Sequence, residues 1–200
     1  MTQLLIHPHG SPIVVQLSPL MEMTQQQFYE FCRSNPDLRV ERTAQGEVLI
    51  MSPTFSDTGN RNFNLAVQVG IWAEQDGTGL GFDSSAGFTL PNGATRSPDV
   101  SWIRRDRWEA LRPEEQQSFA PLCPDFVIEL KSTSDRLETL QAKMQEYLDN
   151  GAQLGWLIDR QAQQVYIYRL NQAVEVLDHP ETISGDPELP GLGVNLRSIW

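Results

Sequence analysis

Lysine is almost missing from this 200-residue chain. Lys131 and Lys143 are its two lysines, against thirteen arginines, and both fall in one short segment. Cysteine is equally scarce. Cys32 and Cys123 lie far apart with no CxxC spacing, which excludes a disulfide scaffold and reads as two reduced, buried thiols in a cytoplasmic protein. Positive charge is in deficit, with a net charge of −11 and a pI near 4.6, and this counts against a simple basic nucleic-acid-binding surface. No stretch approaches the ~20 apolar residues of a membrane span. The first residues, MTQLLIHPHG, lack the basic-then-apolar order of a secretory signal. What remains is ordinary globular material, 40% hydrophobic and 20% charged, enough for one domain over residues 1–200.

The pattern along the chain is that of an α/β (α+β) fold, a central mixed β-sheet flanked by helices. A short strand is expected at 13–17. A helix at 24–34 opens with a capping box, Thr24 with Gln27, and stops before Pro36. Residues 40–43 and 47–51 form a hairpin around Ala44-Gln45-Gly46. A long helix follows over 57–75, with Phe63, Val67, Gly70 and Ile71 on one apolar stripe. Strands are expected at 79–82, 87–90 and 99–103, then one or two short helices in the charged insert RRDRWEALRPEEQQ. Another strand at 125–130 precedes a helix at 136–150, whose apolar face is Leu137, Leu140, Met144, Tyr147 and Leu148; Gly151 sits where a helix-ending glycine belongs. A strand at 154–158 and a hairpin at 165–169 and 174–177 follow. The core spans about 24–177, and the tail at 178–200, rich in Pro and Gly, is expected to be less regular.

The stretch CPDFVIELKS, 123–132, poses the functional question. Phe126, Val127, Ile128 and Leu130 suit a core strand, yet Glu129 and Lys131 stand among them. Alternation points both to one face, roughly 7 Å apart. Buried without partners, each carries a desolvation cost of several kcal/mol. Either this is an edge strand with a solvated face, or it is a site. Asp99 opens a second apolar strand, SPDVSWI. Two carboxylates and a lysine on neighbouring strands are the residue types of phosphodiester hydrolysis. The carboxylates hold Mg²⁺, an oxygen-preferring ion, and the lysine orients or deprotonates the attacking water. The Leu130 backbone carbonyl is a further metal ligand candidate.

SPD at 97–99 with IELKS at 128–132 resembles the PD-(D/E)XK nuclease superfamily. The ordered set GEVLIMSP (46–53), SPDVSWI, PDFVIELKS, KMQEYLDNGAQLGWLID (143–159) and VYIYR (165–169) is similar to the Uma-type family of bacterial "putative restriction endonucleases". The likeness covers about 24–177. It implies a metal-dependent endonuclease acting on DNA with Mg²⁺ or Mn²⁺ as cofactor. Asp99 and Glu129 are then metal ligands, and Lys131 is the water-activating group. The family's hairpin glutamate matches Glu47, and Lys143 with Tyr147 fits the lysine-and-tyrosine spacing of related nucleases on the following helix. Two departures stand out: Gln45-Gly46 at the hairpin turn in place of an acidic residue and Gly, and Asn60, Arg61 and Asn62 where many members carry a histidine.

Each assignment has a plainer counterpart. Asp99 also fits a strand-start turn, Glu47 a polar hairpin residue, and Lys143 a snorkelling surface lysine. Asp125 fits a strand-entry role. Arg104, Arg105, Arg107 and Arg112 form the only local basic cluster, suited to phosphate or to a solvated helix face. His7, His9 and His179 show no metal-ligand spacing. Two other functional readings compete: a catalytically silent nuclease-fold binding or assembly protein, and a nuclease acting on RNA. A homodimer is expected, one site per duplex strand, with Trp72, Trp102 and Trp108 as anchors unless they belong to the core.

Overall fold

The structure, a computed structural model, describes residues 4–5, 12–17 and 23–200. The chain runs through β1 (Leu4–Leu5), β2 (Ile13–Val15), α1 (Gln25–Ser34), β3 (Arg39–Arg42), β4 (Val48–Met51), α2 (Ser56–Asp76) and β5 (Gly79–Asp83). Next come β6 (Phe88–Thr89), β7 (Thr95–Arg96), β8 (Val100–Arg104), α3 (Arg105–Glu109), α4 (Pro113–Gln116) and β9 (Phe126–Lys131). It ends with α5 (Leu137–Asp149), β10 (Leu154–Asp159), β11 (Gln164–Arg169), β12 (Glu175–Asp178), β13 (Thr182–Ser184) and β14 (Gly193–Asn195). His7 and His9 lie outside the described residues.

Two six-stranded sheets result, ordered β1-β2-β4-β3-β7-β6 and β12-β11-β10-β9-β8-β5, with β13 and β14 as a separate hairpin. The second sheet is mixed. β9 and β10 run parallel, joined by the crossover helix α5, and their neighbours are antiparallel. β9 therefore lies inside the sheet, between β8 and β10, and all six of its residues are buried. The solvated-edge reading of Glu129 and Lys131 fails on that placement.

Alternation along β9 divides the core. Phe126, Ile128 and Leu130 join one cluster with Leu65, Val69 and Trp72 of α2, and Val127 joins another with Met144, Tyr147 and Leu148 of α5. The expected apolar face of α5 is thus the one that packs. Gly155 of β10 leaves room for the end of the Met144 side chain, which a Cβ there would displace. The Thr24–Gln27 capping box forms as expected, and Phe28 of α1 packs on Val40 and Val48 of the hairpin. Gly46, with φ at 85°, closes that hairpin in the left-handed region that glycine tolerates.

Two expectations need correction. The α2 stripe Phe63, Val67 and Ile71 faces outward, 65%, 38% and 53% exposed; Leu65, Val69, Trp72 and Ala73 are buried instead. The helix is apolar on two sides, and its pattern does not say which side meets the sheet. The core limit expected at about 177 does not hold either, although the tail at 178–200 carries only the short strands β13 and β14 beyond the end of β12. Ile183, Leu189, Leu192, Val194, Leu196 and Ile199 are buried and close the α2 side of the main core. Pro and Gly mark its turns, and apolar residues between them supply the burial. Trp72 and Trp102 are core residues, their rings 5.6 Å apart, and Trp108 packs against the α5-side cluster.

Candidate active site where the two sheets meet

The last pair of the β8–β9 ladder at this end is Val100 with Ile128, so Asp99, the residue just before β8, lies close to Glu129, whose side chain is on the α5 face. Glu129 is 5% exposed, and the Asp99 side chain 14%. The two hydrogen-bonding contacts on Glu129 both meet Oε1: the Lys143 ammonium at 2.8 Å and the Tyr147 hydroxyl at 2.9 Å, each from α5. Asp99 accepts the Leu130 amide on Oδ2 and the Asn62 side-chain amide on Oδ1, both at 2.8 Å. Leu130 is thereby fixed to the site through its backbone. Arg39 of β3 stands 3.9 Å from Asp99, beyond hydrogen-bonding range.

Lys143 also reaches Glu41 of β3, at 2.9 Å, and so ties the two sheets together. Glu41 in turn accepts Arg96 at 3.1 Å and the Ser97 amide at 3.0 Å, and Arg96 donates to Glu146 at 2.6 Å. The snorkelling reading of Lys143 does not survive this. Its side chain is 14% exposed and its ammonium sits between two buried carboxylates.

These surroundings separate the carboxylates. Burial pushes the Glu129 carboxyl up to about 7, and the charges of Asp99 and Glu41 add to the rise while Lys143 opposes it. Burial also raises Asp99, and the Leu130 amide with the charges of Arg39 and Lys143 offsets part of that. Glu41 goes the other way. Burial disfavours its charge, yet Lys143, Arg96 and the Ser97 amide together hold it below the ordinary range. Lys143 is buried too, but Glu129 and Glu41 keep it above the usual ammonium range. Burial and then Glu129 push the Tyr147 phenol far above its own.

Other expected site residues are placed differently. Lys131 lies at the same end of β9, but its ammonium donates to Gln161 at 2.8 Å and pairs with Asp159 at 3.5 Å. Asp159 is its register partner on β10, which explains the choice. The ammonium on Glu129 belongs to Lys143. Glu47 stays at the turn end of the hairpin, accepting Gln16 at 3.1 Å, and the hairpin carboxylate that reaches the site is Glu41. Asp125 is a strand-entry brace, accepting Arg107 at 2.7 Å and the Arg104 amide at 2.9 Å. The basic cluster is committed to its own carboxylates: Arg104 to Asp106, Arg107 to Asp125 and Arg112 to Glu115. Sequence reasoning missed Glu41, although a glutamate beside Val40 in a strand is the same signal as Glu129 in β9.

Among the described residues no group of three or more His, Cys, Asp or Glu side chains forms a ready metal cluster. Two neighbouring carboxylates are still a fitting donor set for Mg²⁺, which binds through one or two carboxylates and retains waters. The orphaned Oδ1 of Asn62, buried beside Asp99 with no partner, adds a hard oxygen there. Among the described residues no helix is long and apolar enough to cross a membrane.

The comparisons with known proteins speak to the family and the fold. The family described as "Uma2: Putative restriction endonuclease" matches residues 25–197. No curated protein matches the chain. Among solved structures, the fold is similar to that of a "putative nuclease belonging to DUF820" from Anabaena variabilis ATCC 29413, with a TM-score of 0.72 and 20% identity. That match covers 88% of this chain and 97% of the other. With the family matched over nearly its whole length, the chain belongs to the Uma2 family of restriction-endonuclease-type proteins.

Proposed function

We propose that this protein is a metal-dependent endonuclease hydrolysing DNA phosphodiester bonds, with Asp99, Glu129 and the Leu130 carbonyl holding Mg²⁺ or Mn²⁺. The observation that carries the reading is the closeness of Asp99 and Glu129 at one end of the β8–β9 pair, Glu129 buried and Asp99 partly buried, both raised above the ordinary carboxylate range. That is a site short of positive charge. A divalent ion held there would supply the missing charge, lower the pKa of a bound water and neutralise charge on the phosphate. Lys143 and Tyr147 orient Glu129, and Glu41 holds Lys143 in place. Lys131, on the same strand face, is the group that orients the attacking water, a role supported by the E-x-K resemblance.

The test is cleavage of plasmid DNA and of a matched RNA by purified protein, with Mg²⁺ or Mn²⁺ and with EDTA. DNA cleavage that needs the metal and falls at least ~10²-fold in Lys131→Ala and Glu129→Gln is expected, as for loss of a group acting in proton transfer. Cleavage of RNA alone would move the substrate assignment. No metal-dependent cleavage of either would leave a silent nuclease-fold protein.

A homodimer completes the proposal, one site for each strand of a duplex. Trp72 and Trp102 are buried and do not supply its interface. The exposed apolar residues Phe63, Val67 and Ile71 of α2 are the surface to probe, and light scattering at micromolar concentration decides the state.

A further inference from the structure

Arg39 is unlike the other cations around the site. Lys143 is hydrogen-bonded to Glu129 and Glu41, Arg96 to Glu41 and Glu146, and Lys131 to Gln161. Among the described residues the Arg39 side chain makes no hydrogen bond, and its Nε is buried without a partner. A buried donor left unmade is costly, so such a group usually has a ligand or water to meet. The Arg39 side chain is 35% exposed, open enough for one to arrive.

The strand geometry explains why it remains free. Arg39 and Glu41 are two residues apart on β3 and so share the face turned toward Lys143 and Asp99. A guanidinium beside a carboxylate ordinarily closes onto it at about 2.7–2.9 Å. Here the Asp99 oxygens already accept the Asn62 and Leu130 amides, and Arg39 stands off at 3.9 Å. Asp99 keeps the fork nearby through charge without filling its donors. Arg42, three residues on, lies on the opposite face of β3 and cannot join it.

A planar fork of unused N–H donors beside a metal-type carboxylate suits a phosphate, whose oxygens take two parallel hydrogen bonds. Resting on the nuclease reading above, we infer that Arg39 is the substrate-binding residue that takes the nucleic-acid phosphate at this site, in a chain whose net charge of −11 otherwise repels that substrate. The expected contact is direct and fork-shaped, so lysine would keep its charge and lose its geometry.

The experiment compares wild type, Arg39→Ala and Arg39→Lys, each checked for an unchanged melting curve. Binding of a fluorescein-labelled duplex of ~20 bp, and of its RNA counterpart, is followed by anisotropy at several salt concentrations with Ca²⁺ in place of Mn²⁺. Mn²⁺ affinity is measured separately by titration calorimetry. In Arg39→Ala, affinity for the bound nucleic acid should fall about tenfold or more, and the salt slope by about one. Arg39→Lys should retain the slope and still lose affinity, with Mn²⁺ affinity within about threefold of wild type in both variants. Wild-type affinity and slope in Arg39→Ala would overturn the inference and leave the nuclease reading standing. An equal loss of Mn²⁺ affinity would also overturn it, by showing that Arg39 merely supports Asp99. Wild type that binds neither nucleic acid would overturn both.

Discussion

The two ends of β9 bear carboxylates set up in opposite ways. At its entry, Asp125 meets a guanidinium at 2.7 Å and a backbone amide at 2.9 Å, and Arg107 is consumed by the pair. At its exit, among the described residues, Asp99 meets only neutral amides at hydrogen-bond distance, with Arg39 standing off at 3.9 Å. Glu129 there shares Lys143 with Glu41. A buried carboxylate closed by its own counter-ion is a brace. One whose charge is met only in part is expensive to bury, and fold stability gives no reason to keep two of them close together. Charge that the fold leaves unanswered is what separates the exit of β9 from its entry.

The harshest test of that contrast removes a cation at each end. Lys143→Met leaves Glu41 and Glu129 without their shared ammonium, and a loss of about 3–5 kcal/mol in urea denaturation at pH 7.5 is expected. Arg107→Met leaves Asp125 its backbone donor and a more open setting, so about 1–2 kcal/mol is expected. Equal losses would erase the difference between the ends.

A divalent ion should then act at one end alone. At a hundredfold excess over its dissociation constant, Mn²⁺ should stabilise wild type by about 2.7 kcal/mol. The rise should vanish in Glu129→Gln and persist in Asp125→Asn. If thermal melts show the same shift in all three proteins, the ion binds elsewhere on the acidic surface and the exit of β9 is no metal site.

How much of this was readable beforehand follows the same division. β9 and α5 could be read because a β-favouring run and a 3.6-residue stripe each name one core, and the charges of Asp99 and Glu129 stand out against them. The limits of α2 were equally plain. Its buried side was not, since Phe63-Val67-Ile71 and Leu65-Val69-Trp72 are both apolar rows and only the sheet decides between them. Glu41 reaches the site from the other sheet, a tertiary placement that local pattern does not encode. Lys143 sits on a helix flank, where a surface lysine and a buried one have the same spacing. In the tail, composition misled, because six buried apolar residues outweigh the Pro and Gly around them.

Titration sharpens the contrast further. Without metal, the folded Glu129 carboxyl is raised from 4.5 to about 7, so it binds its proton more tightly than the unfolded chain does. Its contribution is greatest below pH 4.5 and is lost as pH rises through 7. Between pH 5.5 and 7.5 that loss should be about 2 kcal/mol in denaturant melts of apo protein. Glu41, held below its ordinary value, is ionised in both states across this window and adds no slope. Glu129→Gln should flatten the profile, and a wild-type profile already flat would show that Glu129 is not raised.

The smallest expected effect isolates one hydrogen bond. Tyr147→Phe removes the hydroxyl that donates to Glu129 Oε1 and leaves the buried ring in place. Lys143 still meets the same oxygen, so the carboxylate is not orphaned and the cost at pH 8 should be about 1 kcal/mol. At pH 5.5, with Glu129 protonated, the hydroxyl donates to a neutral carboxyl and the bond is weaker, so the cost should shrink. Losing a donor to the charged form also raises the Glu129 carboxyl further, and the midpoint of the pH–stability curve should move up in the variant. A merely structural tyrosine would cost the same at both pH values and leave the midpoint unmoved. Denaturation of the two proteins at pH 5.5 and 8 therefore decides whether Tyr147 helps hold the charge at the exit of β9 or only fills space beside it.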